Sequence, residues 1–285
     1  MQFVSNLYAW LSDHARFQIL SDLHLEVGRQ YDTYQIPPSA PYLILAGDIG
    51  RLVDYESYLT FLTRHVDRFQ LIFLVLGNHE LYGLTLEEGI READKLEREE
   101  ILLGKVVFLH RKRYDILQHG IVVLGCTLWS HIPKEAEEIV MARVNDFKRI
   151  NKWTIQDHNN AHQQDLEWLQ AQTNIAQGQG QTKKRRPARI IAVTHHAPCI
   201  KGTSDPGHAH STCSSAFATD VLNHFRGALN IWVFGHTHYS TDFMQNGIRV
   251  IANQRGYVLN PSNEAELRRT EKKKHKFNLK KVATV

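Results

Sequence analysis

LIFLVLGNHE, residues 71–80, holds six apolar residues and then breaks into Gly77, Asn78, His79 and Glu80. A run this short, rich in Ile, Val and Phe, reads as a strand buried on both faces rather than as a helix. The polar residues therefore arrive at the strand's C-terminal end. The same arrangement recurs along the chain: 17–20 runs into Ser21, Asp22, Leu23 and His24, and 42–46 into Gly47 and Asp48. Residues 189–193 run into Thr194, His195 and His196, and 231–234 into Gly235, His236, Thr237 and His238. Apolar runs at 106–109, 121–124 and 248–251 complete eight expected strands.

Amphipathic stretches separate these runs. The clearest covers 86–102, where Thr85 and Glu88 have capping-box spacing and Leu86, Ile90, Ala93 and Leu96 recur at helical intervals. Two more helices are expected at 54–68 and 154–172. Strands alternating with helices indicate an α/β layered fold. Residues 177–187, QGQGQTKKRRP, lack apolar periodicity and read as an exposed loop, and the composition turns polar and charged after 260. The expected organisation is a folded domain over 1–260 and a basic, flexible tail over 261–285.

Five strand ends thus carry Asp, His and Asn. In open α/β sheets the loops leaving neighbouring strands converge at that edge, so the pattern implies one crowded polar pocket. Carboxylates, imidazoles and an amide oxygen, with no thiolate among them, suit Mn, Fe or Zn better than Ca or Mg. Each motif alone is common by chance. Their joint occurrence in order, 24 residues from His24 to Asp48 and 30 from Asp48 to Asn78, makes the signal strong.

The set D-x-H, G-D, G-N-H-E, a His after a later strand, then G-H-x-H resembles that of the calcineurin-like metallophosphoesterase superfamily, and it runs from Asp22 to His238. The resemblance implies a four-layer fold of two mixed β-sheets flanked by helices. It implies two metal ions, divalent or of mixed valence: one held by Asp22, His24, Asp48 and His238, the other by Asp48, Asn78, His195 and His236, with Asp48 bridging. His79 is then a catalytic histidine rather than a ligand, contributing about 10² to 10⁴ in rate by stabilising phosphoryl charge or protonating the leaving alkoxide. Two cations about 3.5–4 Å apart activate a shared water and grip the phosphate, so the expected reaction is hydrolysis of phosphate mono- or diesters.

Several residues near the motifs have open roles. Glu80 is a candidate for orienting the His79 ring. His196 either contacts substrate or caps its loop, and His208 and His210, in the loop 197–215, read as loop residues rather than further ligands. Trp129, Ser130, Asn145, Asp146 and Phe147 fall near the rim, with packing the default for the aromatics.

The chain has 285 residues, 42% of them hydrophobic, and a net charge of +4 concentrated in the basic run 268–281. That run reads as a solvated tail, with nuclear targeting or nucleic-acid contact as the alternative. Three cysteines without C-x-x-C spacing suggest neither a disulfide framework nor a thiolate zinc site, and no segment is long and apolar enough to span a membrane. A cytoplasmic enzyme acting on a small phosphorylated molecule is the expectation. A nuclease would need a basic groove with stacking aromatics among the motifs, and the basic clusters lie elsewhere. The protein-phosphatase branch carries G-D-x-V-D-R-G where this chain has Gly47, Asp48, Ile49, Gly50, Arg51 and Leu52. A non-catalytic scaffold would be expected to have lost ligands or the catalytic histidine.

Overall fold

The computed structural model describes residues 14–179, 188–208, 211–259 and 277–285. All eight expected strands form within a residue or two of their anticipated limits. The first sheet has the order β11-β1-β2-β3-β4, where β1 is Arg16–Leu20, β2 Tyr42–Ala46, β3 Leu71–Val75, β4 Val106–Phe108 and β11 Val282–Thr284. The second has the order β5-β6-β7-β8-β10-β9, where β5 is Lys112–Ile116, β6 Ile121–Gly125, β7 Arg189–Val193, β8 Ile231–Phe234, β9 Thr241–Gln245 and β10 Ile248–Ala252. Inner strands pair in parallel, whereas β11, β5 and β9 are antiparallel edges, so both sheets are mixed.

Alternation along each strand builds the layers. Phe17, Ile19, Ile44 and Val75 of the first sheet meet Val123, Ile191, Val193 and Val233 of the second in a core between the sheets. The opposite faces pack on helices: Leu43, Leu45 and Leu74 against α1 (Tyr55–Val66) and α2 (Leu86–Glu97), and Leu124, Ala192 and Trp232 against α5 (Ile155–Gln179). Two short helices, α3 (Glu137–Arg143) and α4 (Asp146–Arg149), lie between β6 and α5. Two mixed sheets flanked by helices are therefore the architecture, and burial on both faces is why the inner strands read as unbroken apolar runs.

The expected capping box closes α2: Thr85 Oγ1 accepts from Glu88 N at 3.2 Å and Glu88 returns a carboxylate oxygen to Thr85 N at 2.8 Å. Its helix stops at Glu97, and a 3₁₀ turn (Glu100–Leu102) completes the span expected as one helix. α5 continues to Gln179, past the expected limit of 172 and into the anticipated loop; the rest of that loop, 180–187, lies outside the described residues.

The chain end also differs from expectation. Instead of a tail throughout 261–285, β11 pairs with β1, with Ala283 opposite Phe17, and Ala283 and Val285 are buried between the sheets. An uncovered β1 would leave a row of unpaired backbone groups at the sheet edge. Residues 260–276, with most of the basic run, lie outside the described residues.

Candidate metal centre

β1, β2, β3, β7 and β8 end at one edge, where the two sheets are stitched together: Ser21 N donates to Asn253 O at 3.1 Å and Arg255 N to Ser21 O at 3.2 Å. Asp22, His24, Asp48, His236 and His238 all leave their strands with positive φ, at 53°, 47°, 53°, 73° and 52°. Such left-handed conformations cost about 1–3 kcal/mol each in a non-glycine residue and persist only where surroundings hold them. Here Asp22 N is held by Gly47 O at 3.0 Å and His24 N by Asp48 O at 2.9 Å. The motif glycines answer close approach: a Cβ on Gly77 would lie 2.7 Å from Cε1 of His195, and one on Gly235 2.8 Å from Ala46 O.

The structure brings together all eight residues singled out in the sequence. Asp22, His24, Asp48 and His238 each offer a ligand atom, all within 4.8 Å of one another, and so do Asp48, His195 and His236. Nε2 of His24 faces Nε2 of His238 at 2.9 Å and lies 3.8 Å from Asp48 Oδ2. Nε2 of His195 lies 3.1 Å from Asn78 Oδ1 and 3.5 Å from Asp48 Oδ1. The two oxygens of Asp48 thus face the two groups. His236 Nε2 is buried with no hydrogen-bond partner among the described residues.

Neighbours set the orientation of these side chains. His195 Nδ1 donates to Ala46 O at 2.9 Å, which leaves Nε2 for the cluster. Asn78 Nδ2 donates to Asp146 Oδ1 at 2.8 Å and to Tyr82 OH at 3.1 Å, turning its carbonyl oxygen toward His195. The Glu80 carboxylate makes no hydrogen bond to the His79 ring. Its carboxylate accepts from Gly77 N, Asp48 N and Ile49 N at 2.7, 2.9 and 2.7 Å, and staples the Gly47 turn to the Gly77 turn. The carboxylate on His79 belongs instead to Glu26, at 2.9 Å from Nδ1, while Nε2 meets Tyr257 OH at 2.9 Å.

The electrostatics favour a cation. Burial, opposed by His195 and reinforced by Asp48, pushes the Asp22 carboxyl up to about 7. Burial acts the same way on Asp48, yet the surrounding histidines, His195 foremost, hold it well below the usual carboxylate range. His195 is pushed up to about 9, its burial outweighed by Asp48 and Asp22. Two desolvated carboxylates this close need positive charge between them, and an N/O donor set with an unpartnered imidazole nitrogen fits a borderline divalent ion.

The family model for calcineurin-like phosphoesterases matches residues 15–240. The chain belongs to this family. A relative described as uncharacterized protein L509, from Acanthamoeba polyphaga mimivirus, is 27% identical over 267 residues, spanning 84% of this chain and 90% of that one. Among solved structures, the phosphopantetheinyl hydrolase of Mycobacterium tuberculosis shares the fold with a TM-score of 0.65 at 18% identity, over 96% of this chain and 97% of that one.

In this calcineurin-like phosphoesterase Asp48, Asn78, His79, His236 and His238 open onto a cavity of about 530 Å³. From the described part of the loop 197–215, Ile200, Ser204 and His208 line the wall, while His210 lies outside the described residues. Arg143, at the end of α3, also lines the cavity, its guanidinium making no hydrogen bond or ion pair to the described residues, and Asn145 and Asp146 line it too. His196 fills neither of its open roles. Its ring is fully buried behind His236, at 4.1 Å between centroids, and packs on Trp129. Trp129 and Ser130 are buried too, Trp129 tilted against Trp153 at 4.6 Å between centroids and Ser130 hydrogen-bonded to His158, so both are packing residues. Sequence reasoning missed Glu26, Tyr82, Tyr257 and Arg143; only Glu26, two residues past His24, carried any signal.

Proposed function

We propose that the protein hydrolyses small-molecule phosphate mono- or diesters at a two-metal centre. Asp22, His24, Asp48 and His238 would hold one ion, Asp48, Asn78, His195 and His236 the other, with Asp48 between them. The observation that carries this reading is the convergence of carboxylate, imidazole and amide donors from five strand ends, with the Nε2 of His236 buried and unpartnered among them. Mn, Fe or Zn ions bound there would acidify a water and polarise the phosphoryl group.

The side chains then supply the rest. Asp48 presents one oxygen to each group, which supports the bridging assignment. Asp146 and Tyr82 hold the Asn78 amide so that its oxygen, and not its nitrogen, faces His195 and would be the atom offered to an ion. His79 lines the cavity, and its Nε2, which meets the Tyr257 hydroxyl at 2.9 Å, would serve the leaving group in exchange for that contact. As the attacking water oxygen bonds to phosphorus and gives up its proton to solvent, the bond to the leaving oxygen breaks; the electron pair stays on that oxygen, which takes the Nε2 proton of protonated His79, and the neutral imidazole is reprotonated by solvent. A cavity of about 530 Å³ matches a small-molecule substrate. Its wall combines Arg143 with Val144, Ile200 and Phe217, a surface for an ester with both anionic and apolar parts.

The test compares p-nitrophenyl phosphate with bis-p-nitrophenyl phosphate, using metal-stripped protein reconstituted with Mn, Zn or Fe. Metal-dependent turnover of either ester is the expected result. Hydrolysis of neither with any metal would leave a non-catalytic scaffold.

A further inference from the structure

We propose that Glu26 is a positioning residue that uses one carboxylate oxygen to set the tautomer and orientation of two imidazoles at once, those of His79 and His24. This rests on the roles proposed for those histidines above. Glu26 Oε1 lies 2.9 Å from His79 Nδ1 and 3.2 Å from His24 Nδ1, and the two rings meet edge to face at 4.4 Å between centroids. An ionised carboxylate only accepts hydrogen bonds, so each Nδ1 carries its hydrogen. That assignment leaves Nε2 of each ring to the cluster and the cavity: free for a ligand bond in the neutral imidazole of His24, and the site of the donated proton when the His79 ring is protonated. His24 Nε2 is left with its lone pair facing Asp48 and His238, the form a metal ligand requires. His79 Nε2 is left facing the cavity, where Tyr257 OH meets it at 2.9 Å.

Packing alone does not account for the choice of residue. The Glu26 side chain is only 8% exposed, and its Oε2 is buried with no partner among the described residues. Burying half a carboxylate unsatisfied is costly, and an aliphatic side chain would avoid that cost. The acceptor is retained where two N–H groups converge on it. A single residue thereby couples the geometry of a metal ligand to that of the leaving-group acid.

The experiment is a double-mutant cycle of Glu26→Ala and His79→Ala in the metal-reconstituted full chain, with Glu26→Gln as a near-isosteric variant should truncation unfold the loop. Glu26→Ala is expected to lower kcat about 10²-fold with little change in KM, and to lower it hardly at all on the His79→Ala background. Glu26→Gln keeps an acceptor oxygen, so about tenfold is expected, again absent in the double variant. Metal stoichiometry should equal wild type, with affinity weakened about 10- to 100-fold. In metal-free protein, ¹⁵N NMR should report the Nδ1–H tautomer of His24 in wild type and a mixture in Glu26→Ala. Equal losses on both backgrounds, an unchanged His24 tautomer, or loss of a whole metal equivalent, which would make Glu26 a ligand, would each overturn the proposal. Wild-type turnover in His79→Ala alone would instead remove the role given to His79, and this proposal with it.

Discussion

At the scale of the residue, Asp48 and His79 show how neighbours in sequence or space divide their work. Asp48 touches both donor groups, so Asp48→Asn halves the available charge and places an amide nitrogen against one of them. We expect both metal ions to bind far more weakly and turnover to be lost, as read by metal analysis and p-nitrophenyl ester hydrolysis; full activity with two ions per chain would rule out bridging. His79→Ala should keep the metal stoichiometry while kcat falls about 10² to 10⁴-fold. Loss of metal instead would make His79 a ligand. The eight motif residues were legible because strand ends recur in one pattern. Glu26 and Tyr257 were not, because they meet His79 from elsewhere in the chain, 53 and 178 residues away.

At the scale of the element, strands in parallel pairing announced themselves and the antiparallel edge strands did not. β2, β7 and β8 are covered on both faces, which demands continuous apolar sequence. β5, β9 and β11 each lie at a sheet edge and carry exposed polar residues such as Asp115, Asp242 and Thr284, so no pattern marked them. β11 nonetheless contributes. Deleting 277–285 would uncover β1, remove buried Ala283 and Val285, and take away the Leu279 carbonyl that accepts from Gln18 Nε2 at 2.7 Å. A loss of about 3–5 kcal/mol is expected, from two or three buried side chains and the edge ladder, measurable by urea denaturation. Lys281 also clamps this segment to Asp242, at 2.7 Å, beside Arg249. Hydrogen bonds from Arg249, then Lys281, hold the Asp242 carboxyl at about 2, below its ordinary 3.8. A depressed carboxylate stabilises the fold above its unfolded value, and that part is lost as the pH falls from about 4 to 2. Thermal midpoints of wild type and Asp242→Asn should therefore converge over that window, and a constant gap would contradict the clamp.

At the scale of the whole molecule, the centre lies on the seam between the two sheets, so occupancy and stability should be linked. Donors from β1 to β3 belong to one sheet and those from β7 and β8 to the other. An ion bound by both ties them together, and ligand free in 100-fold excess over its Kd adds about 2.7 kcal/mol. Stripping with a chelator should lower the thermal midpoint, and adding Mn or Zn should restore it in wild type but not in Asp48→Asn. The sequence by itself determined the fold class, eight of the described strands and the residues that meet at the strand ends, because apolar burial and abrupt polar strand ends leave local marks. Only the tertiary structure decided which oxygen of Asp48 faces which group, which carboxylate serves His79, that Glu80 is a backbone staple, and that the chain end returns to the first sheet. Those outcomes depend on residues far apart in sequence meeting at fixed distances, and on left-handed backbone at the five non-glycine strand-end residues, neither of which has a local signature.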